Sequence, residues 1–114
     1  MNRLYGIVNC GTMKQARAWL DERGIPYVFH DYKKAGLDEA LARAWVSELG
    51  WEALINRNGT TWRKLPESAR AAVDAESAIR LMVEYPSIVR RPILDTGAAR
   101  HAGFSASRYE ALFP

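Results

Sequence analysis

The chain has 114 residues, 48% of them hydrophobic and 25% charged, with 16 Lys and Arg against 13 Asp and Glu for a formal net charge of +3. That length suits one domain able to bury roughly two-thirds of its unfolded surface, and the composition is that of a globular chain rather than a disordered one. A single cysteine excludes an internal disulfide framework of the secreted kind, and no apolar stretch approaches the ~20 residues of a membrane span.

No signal-peptide core stands at the N-terminus, so the expected setting is reducing and cytoplasmic, with no membrane association. The sequence pI is about 9.2, yet Lys and Arg are spread along the chain, with only the doublets Lys33-Lys34, Arg63-Lys64 and Arg90-Arg91. Without a basic stripe, small anions are the expected partners and nucleic acid is not.

Residues 3–8, with Leu4-Tyr5-Gly6-Ile7-Val8, read as a first strand. Residues 12–23 read as a helix with Met13, Ala16 and Leu20 on one face. Gly24 stops it, with Pro26 two residues on. Tyr27-Val28-Phe29-His30 reads as a second strand, completing a β-α-β unit with a right-handed parallel crossover. A second helix is expected from Asp38 to Leu49, where Leu41, Trp45 and Leu49 repeat every four residues and Gly50 closes it.

From Trp51 to Leu65 there is no long periodicity, and Asn58-Gly59 marks a turn. Pro66 can begin a short helix. Asp74 is the expected N-cap of another, reaching about Tyr85 with Ile79, Met82 and Val83 inward and Pro86 as its stop. Pro92-Ile93-Leu94 and the segment Ala99 to Phe104 read as two short strands around the turn signal Asp95-Thr96-Gly97. Ser105 caps a terminal helix that packs back through Tyr109, Leu112 and Phe113. This order predicts a single α/β domain over residues 1–114. Its fold class is thioredoxin-like (glutaredoxin-like), a mixed four-stranded sheet with a helical insertion at about residues 37–86.

Cys10 stands where the first strand gives way to the first helix. A thiol there faces the free N–H groups of a helix N-terminus, which favour the thiolate. Free cysteines are more often small buried hydrophobes, but the small polar flanks Asn9, Gly11 and Thr12 belong to loops and caps rather than to a core. A reactive thiol is therefore the expectation. Thr12 can approach the sulfur through its hydroxyl or N–H, and Lys14 is either an added cation or a solvated helix residue. Met13 occupies the second-cysteine position of a Cys-x-x-Cys motif, so no internal disulfide can form and any turnover needs an external thiol. Glutathione is the abundant cytosolic one.

Arg91-Pro92 leads into the third strand. From spacing alone a trans-proline at the start of an edge strand is the commoner outcome, and an arginine there can serve an anion. His30 and His101 read as structural or exposed. Two histidines and one cysteine lack the spacing of a metal site, so no metal is expected. Trp19, Trp45, Trp51 and Trp62 read as core rather than as a base-stacking platform.

Four segments in order, Asn9-Cys10-Gly11-Thr12, Phe29-His30-Asp31-Tyr32-Lys33-Lys34, Leu54-Ile55-Asn56-Arg57-Asn58-Gly59 and Arg91-Pro92-Ile93, resemble the arsenate reductase (ArsC) family over nearly the full length. The resemblance is to its YffB-type branch and to the related Spx regulators. It implies a thioredoxin-like fold with a helical insert, a redox-active Cys10 and a cis Arg91-Pro92 bond. In the arsenate-reducing members one cysteine attacks arsenate, glutathione completes the reduction, three arginines hold the oxyanion and a histidine four residues before the cysteine assists it. Arg91 matches one arginine, Arg57 lies at or within one position of another, and Arg100 is near the third but offset. Gly6 stands where that histidine would be.

The resemblance thus implies a glutathione-dependent thiol-disulfide reductase with Cys10 and Arg91 as catalytic residues. Gly11, Thr12, Lys14, Arg57, Arg91 and Pro92 would contact the substrate. Glutathione is the implied co-substrate, with no tightly bound cofactor. Glutathione or a glutathione mixed disulfide is the implied partner, glutaredoxin is a further candidate, and the oligomeric state is not read from the sequence. Two alternatives stand beside this one: an arsenate reductase using glutathione, and a non-enzymatic Spx-like regulator that contacts RNA polymerase. Met13 removes the Cys-x-x-Cys switch with which those regulators often sense oxidation.

Overall fold

The computed structural model describes residues 1–8 and 10–114; Asn9, read above as part of the polar flank of Cys10, lies outside the described residues. The chain forms two compact units, one of Met1–Asp31 with Arg91–Pro114 and one of Tyr32–Arg90.

The first unit carries β1 (Asn2–Gly6), α1 (Gly11–Glu22), β2 (Tyr27–Asp31), β3 (Ile93–Asp95), β4 (Arg100–Ala102) and α8 (Ala106–Leu112). Its sheet has the order β2-β1-β3-β4. β1 runs parallel to β2, and β3 is antiparallel to both β1 and β4. This is the mixed four-stranded sheet of a thioredoxin-like fold. Leu4 pairs with Phe29 on one side and with Leu94 on the other, so these three share a sheet face. Against that face α1 lays Met13, Ala16, Trp19 and Leu20, and α8 lays Tyr109. The one-sided stripe of α1 is why it folds as a helix at all, since packing of an apolar face contributes more than propensity.

The end of α1 is closed as its glycine predicts. Gly24 adopts φ 65°, its N–H donates to the Asp21 carbonyl, and the Ile25 N–H donates to the Leu20 carbonyl. That is a complete Schellman closure, with Ile25 packed onto the same core. At the other terminus Ser105 caps α8 by accepting from the Arg108 N–H at 3.2 Å.

Two strands end more than one residue short of expectation, while the other strand limits move by no more than a single residue. β1 ends at Gly6 rather than at residue 8, because Gly6 opposite Asp31 is the last paired position of the parallel ladder. Beyond it the Cys10 N–H turns back to the Val8 carbonyl at 3.2 Å. β4 keeps only Arg100–Ala102, the three residues that face β3.

The second unit is helical. It holds α2 (Tyr32–Ala35), α3 (Glu39–Leu49), α4 (Trp51–Leu54), α5 (Thr60–Arg63), α6 (Glu67–Ala71), α7 (Ala75–Glu84) and a 3₁₀ turn at Pro86–Ile88. α3 packs against α7. The buried stripe of α3 is Ala42, Trp45 and Val46, with Leu41 and Leu49 only half-buried, so the expected stripe is one residue out of phase. α7 begins in a capping box, Asp74 accepting from the Ser77 N–H and the Ser77 hydroxyl accepting from the Asp74 N–H, both at 2.9 Å. It turns Ala78, Ile79 and Met82 inward. Val83 was expected inward and is instead 39% exposed, since a further 100° of rotation carries it past the stripe. The short α2, α4 and α5 have no counterpart in the sequence reading. Among the described residues no helix is long and apolar enough to cross a membrane.

Candidate functional site

Cys10 is the residue immediately before α1. Its backbone is extended (φ −145°, ψ 129°), and its carbonyl accepts the first helical bond from the Lys14 N–H at 3.0 Å. The side chain is half-buried against the core of the first unit. That partial burial raises the pKa of the thiol. A hydrogen bond from the Arg91 side chain, the Met13 N–H, the Arg91 charge and the Thr12 N–H all lower it, and the balance falls below the ordinary thiol value. The side chain makes no formal capping bond with the helix, so the two N–H groups act on the sulfur as the positive end of the first turn.

Arg91 arrives by topology. Because β3 runs antiparallel to β1, with Ile93 opposite Tyr5, the residues that enter β3 lie at the end of the sheet where β1 exits towards Cys10. The Arg91-Pro92 peptide bond is cis. Pro92 is buried, and its carbonyl accepts from the Gly103 N–H at 2.8 Å, which ties the approach to β3 to the end of β4.

Cys10, Gly11, Thr12, Arg91 and Pro92 thus belong to one unit. Gly11 is exposed, and a Cβ there would meet no described atom within 4 Å. Lys14 is exposed on α1, while the groups that lower the thiol pKa are Arg91 and the N–H groups of Met13 and Thr12. Arg57 is exposed in the helical unit, its guanidinium carbon 5.7 Å from the centroid of the Trp51 ring. Arg100 pairs with Asp95 directly across the β3–β4 ladder, Nε to Oδ2 at 3.4 Å. His30 is exposed and stacks on Tyr5 with centroids 4.8 Å apart. Among the described residues no three His, Cys, Asp or Glu side chains gather into a metal site.

One contributor escaped the sequence reading. The sequence pattern marks Met13 as an inward helix residue and as the place of a missing second cysteine; its N–H also acts on the thiol. The signal was available, because the third residue of a helix has a free N–H directed back at the N-cap. The assembled group is a half-exposed thiol with a guanidinium and two amide dipoles favouring its anion. Such a sulfur can act both as a nucleophile and as a leaving group in disulfide exchange.

A family model described as the ArsC family matches residues 5–112. An uncharacterised protein of Haemophilus influenzae is 35% identical over 113 residues, 99% of each chain. The solved structure of a YffB protein is 46% identical, covers all of both chains and superposes with a TM-score of 0.96. An arsenate reductase (ArsC) related protein from Brucella melitensis is 51% identical over 98% of this chain and 93% of its own, with a TM-score of 0.81. The Spx global transcriptional regulator of Bacillus subtilis is more distant, at 26% identity over all of this chain and 88% of its own.

Proposed function

This chain belongs to the ArsC family and has its thioredoxin-like fold, and from that premise we propose that it is a glutathione-dependent thiol-disulfide reductase working through Cys10 alone. The observation that carries the reading is the pairing of an activated thiol with the absence of any second one. Arg91 and the first turn of α1 favour the Cys10 thiolate, and Cys10 is the only cysteine in the sequence.

In the proposed cycle the Cys10 thiolate attacks the glutathionyl sulfur of a mixed disulfide R–S–S–G. The bond between the Cys10 sulfur and the glutathionyl sulfur forms, the original S–S bond of the mixed disulfide breaks, and R–S⁻ leaves and takes a proton. The thiolate of a second glutathione then attacks the glutathionyl sulfur on Cys10, releasing oxidised glutathione and restoring the Cys10 thiolate. The substrate gains two electrons and the two glutathionyl groups leave as one disulfide, so electrons balance without a cofactor. Arg91 stabilises the Cys10 sulfur each time it is an anion, at the start of the first step and as the leaving group of the second. The proposed reliance on the glutathione pool fits a reducing, cytoplasmic setting.

Arsenate is the less favoured substrate. Position 6 has no side chain to assist the thiol, and Arg100 is engaged with Asp95. The test is a glutathione-reductase-coupled assay with reduced glutathione and either a glutathionylated peptide or arsenate as oxidant. Turnover of the peptide, lost in Cys10→Ser, is expected. Turnover with arsenate alone would replace the proposal by arsenate reduction, and turnover with neither would leave a binding protein.

A further inference from the structure

Gly6 closes β1 and is buried. Its backbone does not require glycine, since the positive-φ glycines are Gly24, Gly36, Gly50, Gly97 and Gly103. What the position requires is space. A Cβ on residue 6 would overlap the Met13 sulfur and stand 2.6 Å from its Cε and 3.2 Å from its Cγ. Met13 is fully buried among Leu4, Ala16, Leu20 and Leu94. Its thioether is the flexible end of the side chain, and any shift of it presses on the close-packed neighbours of that core. A side chain at position 6 would therefore push either on the core or, through Met13, on the start of α1.

The start of α1 is where the thiol is held. Met13 is the third residue of the helix, and one residue supplies both the thioether seated over Gly6 and an N–H that acts on the Cys10 sulfur. We propose that Gly6 is a positioning residue: by lacking a side chain it seats Met13, and through Met13 it holds the first turn of α1 against Cys10. This rests on the reading of Cys10 as the nucleophile. Arg91 is the charged group acting on the sulfur, and it comes from the approach to β3, so changes at Gly6 and Met13 leave it in place.

The test compares the pH midpoint of Cys10 alkylation by iodoacetamide in the wild type, Gly6→Ala, Met13→Ala and the double variant, with thermal melting as the folding control. Gly6→Ala is expected to raise the midpoint and slow alkylation at neutral pH about three- to tenfold, a tenfold loss of thiolate being one pKa unit. Adding Met13→Ala relieves the overlap and brings the midpoint back from that of Gly6→Ala to that of Met13→Ala alone. A wild-type midpoint in folded Gly6→Ala, or no recovery in the double variant, would overturn the proposal while leaving Cys10 as the nucleophile. Should Gly6→Ala fail to fold, Met13→Ala is compared with the near-isosteric Met13→Leu. Only the truncation should raise the midpoint, and equal midpoints would overturn the proposal. An ordinary thiol midpoint in the wild type would instead remove the nucleophile, and the proposed function with it.

Discussion

The Arg91 side chain donates a hydrogen bond to the Cys10 thiol, a contact made by the antiparallel pairing of β1 with β3 rather than by closeness in sequence. It carries both a hydrogen bond and a charge, and the two separate by substitution. Arg91→Lys keeps the charge and loses the planar donor, while Arg91→Ala loses both. Alkylation midpoints should rise in the order wild type, Arg91→Lys, Arg91→Ala. At neutral pH the alanine variant should react severalfold more slowly, by about tenfold for each unit of rise. Equal midpoints in the three proteins would show that the helix N-terminus alone sets the thiol.

The same perturbation links stability to pH. The folded thiol has a lower pKa than the unfolded one, whose value is about 8.5, so the folded state releases its proton first. The resulting stabilisation is fully present above the unfolded value and is lost as pH falls through the folded one. The melting temperature of the wild type relative to Cys10→Ser should therefore rise as pH increases from below the folded thiol pKa to above the unfolded value of about 8.5. A difference that stays flat over that range would contradict a depressed thiol pKa.

Tyr109 sits at the centre of the first unit's core, fully buried, edge-on to Trp19 with centroids 5.5 Å apart and edge-on to Phe104 at 4.7 Å. Its hydroxyl has no hydrogen-bond partner among the described residues, and burial raises its pKa. A buried hydroxyl without a partner costs free energy, so Tyr109→Phe should melt at the wild-type temperature or above it. Tyr109→Ala removes the ring as well and should cost about 3–5 kcal/mol, as large-to-small aromatic changes do. A clear loss of stability in the phenylalanine variant would mean that the hydroxyl is satisfied in solution.

In the helical unit the capping box of α7 should be visible in acid. The Ser77 N–H and then the Ser77 hydroxyl hold Asp74 below the usual carboxylate pKa. This contribution is present above the unfolded carboxylate value of about 3.9 and fades as pH falls through the folded one. Asp74→Ala should melt below the wild type at neutral pH, and the gap should narrow in acid. A gap that does not change with pH would mean that the charge of Asp74 adds nothing to the cap.

What was legible in the sequence follows from what is local. The stripe of α1, the Gly24 closure and the Ser105 cap each depend on residues within a few positions of one another. The β3–β4 turn does too, with the Gly97 N–H on Asp95 Oδ1 and the Thr96 N–H on the Ala99 carbonyl. The single-turn helices α2, α4 and α5 were illegible because four residues cannot show a 3.6-residue period. The expected stripe of α3 is one residue out of phase because Leu41 outranks Ala42 in hydrophobicity, although Ala42 is the buried one.

At the site, Cys10, Gly11 and Thr12 were legible from the strand-to-helix junction. Arg91 needed the family resemblance, since strand pairing is not local. Gly6 could be read only as a missing side chain; that Met13 fills the space is a property of the packed core.

The measurement that tests the account most directly is intact-protein mass spectrometry after exposure to a glutathionylated peptide and then to reduced glutathione. The account predicts one glutathionyl group on the wild-type chain, located on Cys10, released by reduced glutathione and absent from Cys10→Ser. No adduct on Cys10, or an adduct that reduced glutathione does not remove, would contradict it.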